Sequence, residues 1–246
     1  MNPEKHYLLS IITVTKNCGL TITRTLESVR SVKSRDIQYV IVDGESTDET
    51  LDIIRSQDGL VDILISEKDS GVYNAMNKGV TLATGQYVLF LNGDDRIVAD
   101  GFNSALDILR SEHPQILSCR SNACWRNEQD VEVLMPRPFL LPFFNAIPHP
   151  STFISTSIQK RFKYREDLKI ASDYDLFLRL FLRGYHVKVS NLITGVHYRG
   201  DGISADRAQS AIEIEKVKRD NFGLFYFIIS FLEWLNRRRK RIRLTQ

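Results

Sequence analysis

Asp94 and Asp95 stand side by side at the end of "YVLFLNGDD" (87–95), where five apolar or aromatic residues stop at Asn92-Gly93. Adjacent like charges at the mouth of a buried strand repel, so they call for a positive partner. Two other segments end in the same way: "IQYVIVD" (37–43) delivers Asp43, and "VDILIS" (61–66) leads into Glu67 and Asp69. Paired aspartates on a strand end suit a hard divalent cation, Mg²⁺ or Mn²⁺, which prefers oxygen ligands and shares them with substrate phosphates. A single Asp before or after Gly is otherwise a turn residue. Spacing alone leaves Asp94 open between the two.

The elements that must position these groups alternate between two periods. "YLLSIITVT" (7–15), 37–43, 61–66 and "QYVLFLN" (86–92) read as strands, and 21–32, 47–56 and 72–83 as helices. Ser46 with Glu49 has the spacing of a capping box opening the second helix. Such alternation predicts right-handed βαβ units and a mostly parallel sheet, with ligands at the carboxyl ends of its strands. The sequence holds no GxxxxGK[ST] and no GxGxxG after the first strand, which disfavours a P-loop or a dinucleotide fold.

Composition sets outer bounds. The chain has 246 residues, 43% hydrophobic and 26% charged, as in a soluble globular protein with one large or two small domains. Three cysteines without a CxxC give no disulfide framework or zinc site; Cys119 and Cys124 read as small buried hydrophobes. The apolar start at Tyr7 is short and β-branched, a strand and not a leader. Six positive charges fall in "RRRKRIR" (237–243); without them the net charge of +3 becomes −3 for the remainder.

"SIITVTKN", "VDGESTDET", "SEKDSGVYNAMNKG", "GQYVLFLNGDD", "HPSTF" and "ASDYDLFLRL" stand in the order seen in family 2 glycosyltransferases of GT-A fold, and the chain most resembles bacterial exopolysaccharide enzymes of the colanic-acid type. The resemblance spans about residues 8–205. It implies a catalytic domain over 1–205, a helical extension over 206–246, and inverting transfer of a sugar from a nucleotide donor (UDP- or GDP-linked) to a glycan hydroxyl with a divalent metal. By the same resemblance Thr13 and Asp43 hold the nucleoside, Asp69 lines its pocket, and Lys78 lies near the diphosphate. Asn92-Gly93-Asp94 takes the place of the DxD motif: Asp94 is the metal ligand, Asn92 bonds the ribose without adding charge, and Asp95 supports from behind. His149 faces the donor phosphates or the acceptor. His197, or equally Arg199, reaches the metal or diphosphate. Residues 120–148 shape the acceptor site.

Asp173 matches the family's catalytic base. On a helix opening at Ser172 it shares a face with Leu176, Phe177 and Leu180, and a carboxylate edging an apolar stripe becomes more basic. The competing reading is a first-turn acid favoured by the helix dipole. Asp175 and Arg179, at i,i+4, read as a surface ion pair.

The segment "FGLFYFIISFLEWL" (222–235) is too short to span a bilayer, which takes ~20 residues, and with its basic successor it reads as an interfacial anchor over 222–243. That places the expected enzyme in the cytoplasm, peripheral on the inner membrane, with a lipid-linked glycan acceptor. Nucleic acid is disfavoured by the acidic body. A sugar nucleotidyltransferase would need a Gly-rich basic loop where "TKNCGLTITRT" stands, and a non-catalytic nucleotide-sugar-binding protein would not need Asp94 and Asp173.

Overall fold

The computed structural model describes residues 6–125, 130–199 and 205–232. Its first part follows the alternation closely: β1 (Leu9–Thr15), α1 (Ile22–Arg30), β2 (Ile37–Asp43), α2 (Thr50–Arg55), β3 (Ile63–Ser66), α3 (Val72–Leu82) and β4 (Tyr87–Phe90). Then come β5 (Arg96–Ile97), α4 (Ala99–Glu112), β6 (Ile116–Trp125), β7 (Glu132–Leu134), β8 (Thr152–Ser155), α5 (Thr156–Arg161), α6 (Ser172–Leu182), β9 (Val187–Arg199) and α7 (Arg207–Phe222).

One sheet runs β3-β2-β1-β4-β8-β6-β9-β5, with β7 added on β6. Its first four strands are parallel, in a register that sets Thr15 beside Asp43 and Asp43 beside Ser66. Beyond β4 the expectation of a mostly parallel sheet fails. β8 runs antiparallel to β4 and β6, β7 antiparallel to β6, and β5 antiparallel to β9, so the whole sheet is mixed. β8 follows β6 with no α-helix between them among the described residues, and the two pair antiparallel, as a connection without a crossover helix allows.

Both faces of the parallel part are covered, which is why its strands read as unbroken apolar runs. Ile12, Val40 and Val88 face α3, α5 and α6 in one core cluster. Ile11, Tyr39 and Leu89 face α1 and α4 in the other, with Leu26, Val29 and Phe102. Each fully buried Leu or Ile contributes roughly 1.5–3 kcal/mol. Gly79 lets α3 lie against β1, since a methyl group there would overlap Ile12.

Two local expectations are corrected. Ser46 does not cap α2: its hydroxyl bonds the Asp43 carboxylate, while Asp48 accepts from the Thr50 amide (3.1 Å) and the Gly19 amide (2.9 Å). Asp175 and Arg179 are not a surface pair. Asp175 is 1% exposed and takes Arg179 Nε at 2.6 Å, Arg165 at 3.5 Å and Asn221 Nδ2 at 3.0 Å. A carboxylate this buried needs such partners. Cys119 and Cys124 are buried, as expected.

Candidate active site

A cavity of about 1450 Å³ opens along the carboxyl ends of β1 and β4 and reaches across to α6 and β9. Lys16, Asn17, Asp69, Asn92 and Asp94 line one part; Asn145, His149, Lys169, Asp173 and His197 line another.

The β4 end builds a network around a carboxylate that the solvent never reaches. Asp95 is completely buried. Its Oδ2 accepts from Asn92 Nδ2 (3.1 Å), and its Oδ1 meets His197 Nδ1 (3.0 Å) and the Tyr198 amide (3.2 Å). β9 brings this histidine from 102 residues away, because its pairing with β5 sets Val196 opposite Arg96. Burial alone would lower the His197 pKa, but the charge and hydrogen bond of Asp95, with Asp94 adding to them, raise it. Asp95 therefore lies behind the cavity wall and fixes Asn92 and His197. Asp94, on the other side of the same turn, lines the cavity.

No group of three His, Cys, Asp or Glu side chains among the described residues forms a ready metal cage. Asp94 and His197, whose orientation Asp95 sets from behind, both line the cavity. That pair fits a divalent cation taking its remaining oxygens from a bound diphosphate.

At the far part of the cavity, Asp173 begins α6. Its Oδ1 accepts from the Tyr174 amide (2.7 Å) and its Oδ2 from Asn145 Nδ2 (2.9 Å). The loop leading to it, 164–172, is held by α3: Asn77 Nδ2 donates to the Tyr164 carbonyl (3.0 Å), Asn77 Oδ1 accepts from the Tyr164 amide (3.0 Å), and the Tyr73 hydroxyl donates to the Ile170 carbonyl (2.5 Å). His149 stacks on Phe90 at 5.3 Å and shares a 2.7 Å hydrogen bond between Nε2 and the Tyr164 hydroxyl. Burial lowers its pKa, and the Asp173 carboxylate only partly offsets this, so His149 is held towards its neutral form.

The cavity thus gathers Asp69, Asn92, Asp94, His149, Asp173 and His197. Three residues expected at the donor, Thr13, Asp43 and Lys78, lie off the cavity lining. Thr13 is fully buried and accepts a hydrogen bond from the Tyr39 hydroxyl (3.0 Å); Thr15, two residues on along the same strand face, is the one that lines the cavity. Asp43 is also fully buried and already accepts from Thr15 Oγ1 (3.0 Å), the Ser46 amide (2.9 Å) and Ser66 Oγ (2.8 Å), so it ties three strand ends together. Lys78 turns to Glu67 (2.8 Å) and the Lys68 carbonyl (2.9 Å), outside the cavity lining. Asp69 packs where a side chain at Gly44 would sit, so that glycine makes room for the carboxylate.

Sequence reasoning names Asn17 only as a polar group past the first strand and passes over Tyr73, Asn77, Asn145 and Tyr164. Asn17 alone carried a signal, a polar residue just past an apolar strand; it adopts φ +52° and receives the Thr47 amide (2.9 Å). The others act across long separations that no local pattern encodes.

Residues 10–179 match the profile described as glycosyl transferase family 2. The chain belongs to that family. A PGL/p-HBAD biosynthesis glycosyltransferase of Mycobacterium bovis is 31% identical over 71% of this chain and 70% of its own. The Escherichia coli UDP-Glc:alpha-D-GlcNAc-diphosphoundecaprenol beta-1,3-glucosyltransferase WfaP is 26% identical over 92% of this chain and 94% of its own. Among solved structures, S. aureus TarS in complex with UDP-GlcNAc superposes with a TM-score of 0.69 at 18% identity, covering 89% of this chain and 72% of that one. The mannosyltransferase PcManGT from Pyrobaculum calidifontis, in complex with GDP-Man and Mn²⁺, gives 0.65 at 19% identity, covering 87% and 64%. These structural likenesses establish the family's fold for this glycosyltransferase; no described helix is long and apolar enough to cross a membrane.

Proposed function

We propose that this family 2 glycosyltransferase transfers a sugar with inversion from a nucleotide-diphosphate donor to a hydroxyl of a lipid-linked glycan, in bacterial extracellular polysaccharide synthesis. The observation that carries this reading is that one cavity holds both Asp173 and the Asp94–His197 pair. Asp173 accepts the proton of the acceptor hydroxyl as its oxygen attacks the anomeric carbon on the face opposite the nucleotide. Asn145 orients that carboxylate. Asp94 and His197 would hold Mg²⁺ or Mn²⁺, which when bound neutralises charge gathering on the departing diphosphate. Asn92 and Asp69 are assigned to the nucleoside side of the donor, and His149, uncharged, to the wall between donor and acceptor.

The lipid-linked acceptor draws support from the printed activity of WfaP, and the nucleotide donor from the UDP-GlcNAc and GDP-Man complexes of the structural neighbours. Membrane association draws support from residues 223–232. Leu224 is 90% exposed, Phe225 69% and Phe227 73%, with Ile228 and Phe231 also exposed. The remainder of the expected anchor, 233–243, lies outside the described residues. An exposed apolar face followed by basic residues fits a peripheral position on the anionic cytoplasmic face of the inner membrane, each Lys or Arg near such a surface contributing about 1 kcal/mol.

Calorimetric titration of UDP and of GDP, each with and without Mn²⁺, into wild type and Asp94→Ala tests the donor assignment. One nucleotide binds in a metal-dependent manner, and the variant loses that dependence. Binding of neither nucleotide overturns the reading. Flotation with anionic vesicles tests the membrane assignment, and deletion of 222–246 abolishes it.

A further inference from the structure

α7 docks on the catalytic domain through polar groups. Val217 is its one fully buried apolar residue among Glu213 and Lys218. Glu213 is 4% exposed and has both carboxylate oxygens committed. Oε1 accepts from the Lys169 amide (2.9 Å) and Gln209 Nε2 (2.8 Å). Oε2 accepts from the Ile170 amide (2.8 Å) and the Ala171 amide (3.0 Å). Three successive backbone N–H groups are thus gathered on one carboxylate, immediately before Ser172 and Asp173 open α6. Lys169 and Ile170 themselves line the cavity.

Flanking contacts repeat the pattern. Lys216 reaches Asp167 at 2.5 Å, and Asp220 takes Arg165 Nη1 at 2.7 Å. On the opposite side of the loop, the Tyr73 hydroxyl holds the Ile170 carbonyl. The segment before the proposed base is therefore clamped between α3 and α7, and on its α7 side Glu213 alone takes the backbone amides of 169–171 while Lys216 and Asp220 pair with the side chains of Asp167 and Arg165. Charge-assisted bonds to backbone N–H groups are the stronger kind, and a buried donor stripped of its acceptor is costly.

We infer that Glu213 is a positioning residue for sugar transfer: by gathering the amides of 169–171 it sets where Asp173 stands in the cavity, although it touches no substrate. The inference rests on the sugar-transfer reading for its catalytic consequence, while its structural core is independent of that reading. The glutamine variant discriminates, because Glu213→Gln keeps the shape and turns an amide N–H₂ towards backbone N–H donors.

The test uses the full chain with three readouts. Hydrogen exchange at 168–173 rises about tenfold or more in Glu213→Gln, the equivalent of one lost net hydrogen bond, while β1–β4 stay protected. UDP and GDP affinities stay at the wild-type level. Transfer from UDP-glucose or GDP-mannose to undecaprenyl-diphosphate-linked GlcNAc falls in kcat by about tenfold or more through misplacement of the base, with the donor KM within about twofold. Gln209→Ala, which leaves the three backbone contacts intact, gives a smaller loss in the same direction. Unchanged exchange at 168–173 overturns the inference. So does loosening of the whole chain with nucleotide affinity and kcat falling together, because that marks a general fold defect. A wild-type protein that transfers neither sugar overturns the transferase reading alone, and the exchange readout still decides whether Glu213 positions the loop.

Discussion

The two parts of the cavity are held in place by different physics. The part around Asp94 hangs from β1, β2 and β4, whose side chains are buried on both faces and packed by helices with apolar stripes. The part around Asp173, the proposed base, hangs from the 164–172 loop, held by Asn77, Tyr73 and Glu213 through hydrogen bonds from α3 and α7. Apolar packing is broad, so one lost contact is shared among many neighbours. A polar clamp concentrates its effect in a few directional bonds. Damage to the first part should therefore appear mainly as lost stability, and damage to the second mainly as lost turnover.

The sharpest break in that comparison is Asp173→Asn. It removes the proton acceptor while keeping the Asn145 neighbourhood, so transfer falls by about 10²–10⁴. Nucleotide affinity, measured by calorimetry, stays unchanged. A parallel fall in both would make Asp173 a structural first-turn acid. The complementary variant is Leu26→Ala, wholly buried between α1 and the sheet. It costs roughly 2–5 kcal/mol in denaturant unfolding, while kcat at a temperature where the protein remains folded stays near wild type.

Asp95 joins the two regimes, because its carboxylate is both buried and directional. Asp95→Asn turns a donor towards His197, the Tyr198 amide or Asn92, at a cost of about 1–3 kcal/mol. The same change releases the imidazole orientation and removes a charge that raises the His197 pKa. Metal-dependent nucleotide binding weakens as well, and calorimetry at matched pH reads that loss beside the stability change.

How far the sequence could be read follows the same division. β2 (Ile37–Asp43) and α3 (Val72–Leu82) lie within a residue of where apolar pattern alone puts them. A strand end and a helix start are local events, and the structure brings Asp94 and Asp173 to the lining of one cavity. Thr13 and Asp43, which the resemblance puts at the nucleoside, are fully buried, and no local pattern tells that a neighbour such as Tyr39 or Ser66 already bonds the polar atom. Asp175 was taken for a surface residue because its partners Arg165 and Asn221 lie on other segments. The mixed half of the sheet is not legible for the same reason: β8 and β6 pair antiparallel and β6 and β9 parallel, all over long separations.

The smallest effect is one of pH, and it distinguishes the two parts without any mutation. Burial alone would raise the Glu213 pKa, but its bonds to Gln209 and the three backbone amides outweigh that and hold it below the ordinary glutamate range. Asn77 and Asn74 lower Glu166, and Arg165 followed by Lys216 lowers Asp167 further still. A folded-state pKa lowered in this way gives stability that is fully present above the unfolded value of about 4 and is lost as pH falls through the folded one. All three groups serve the 165–171 segment, whereas the apolar packing around β1, β2 and β4 carries no such proton dependence. Hydrogen exchange corrected for intrinsic rates, compared between pH 5 and pH 3, should therefore show protection falling first at 165–173 while β1–β4 hold. Uniform loss across both parts would mean that the clamp and the core are one cooperative unit. Retained protection at 165–173 would mean that α3 alone suffices to hold the base.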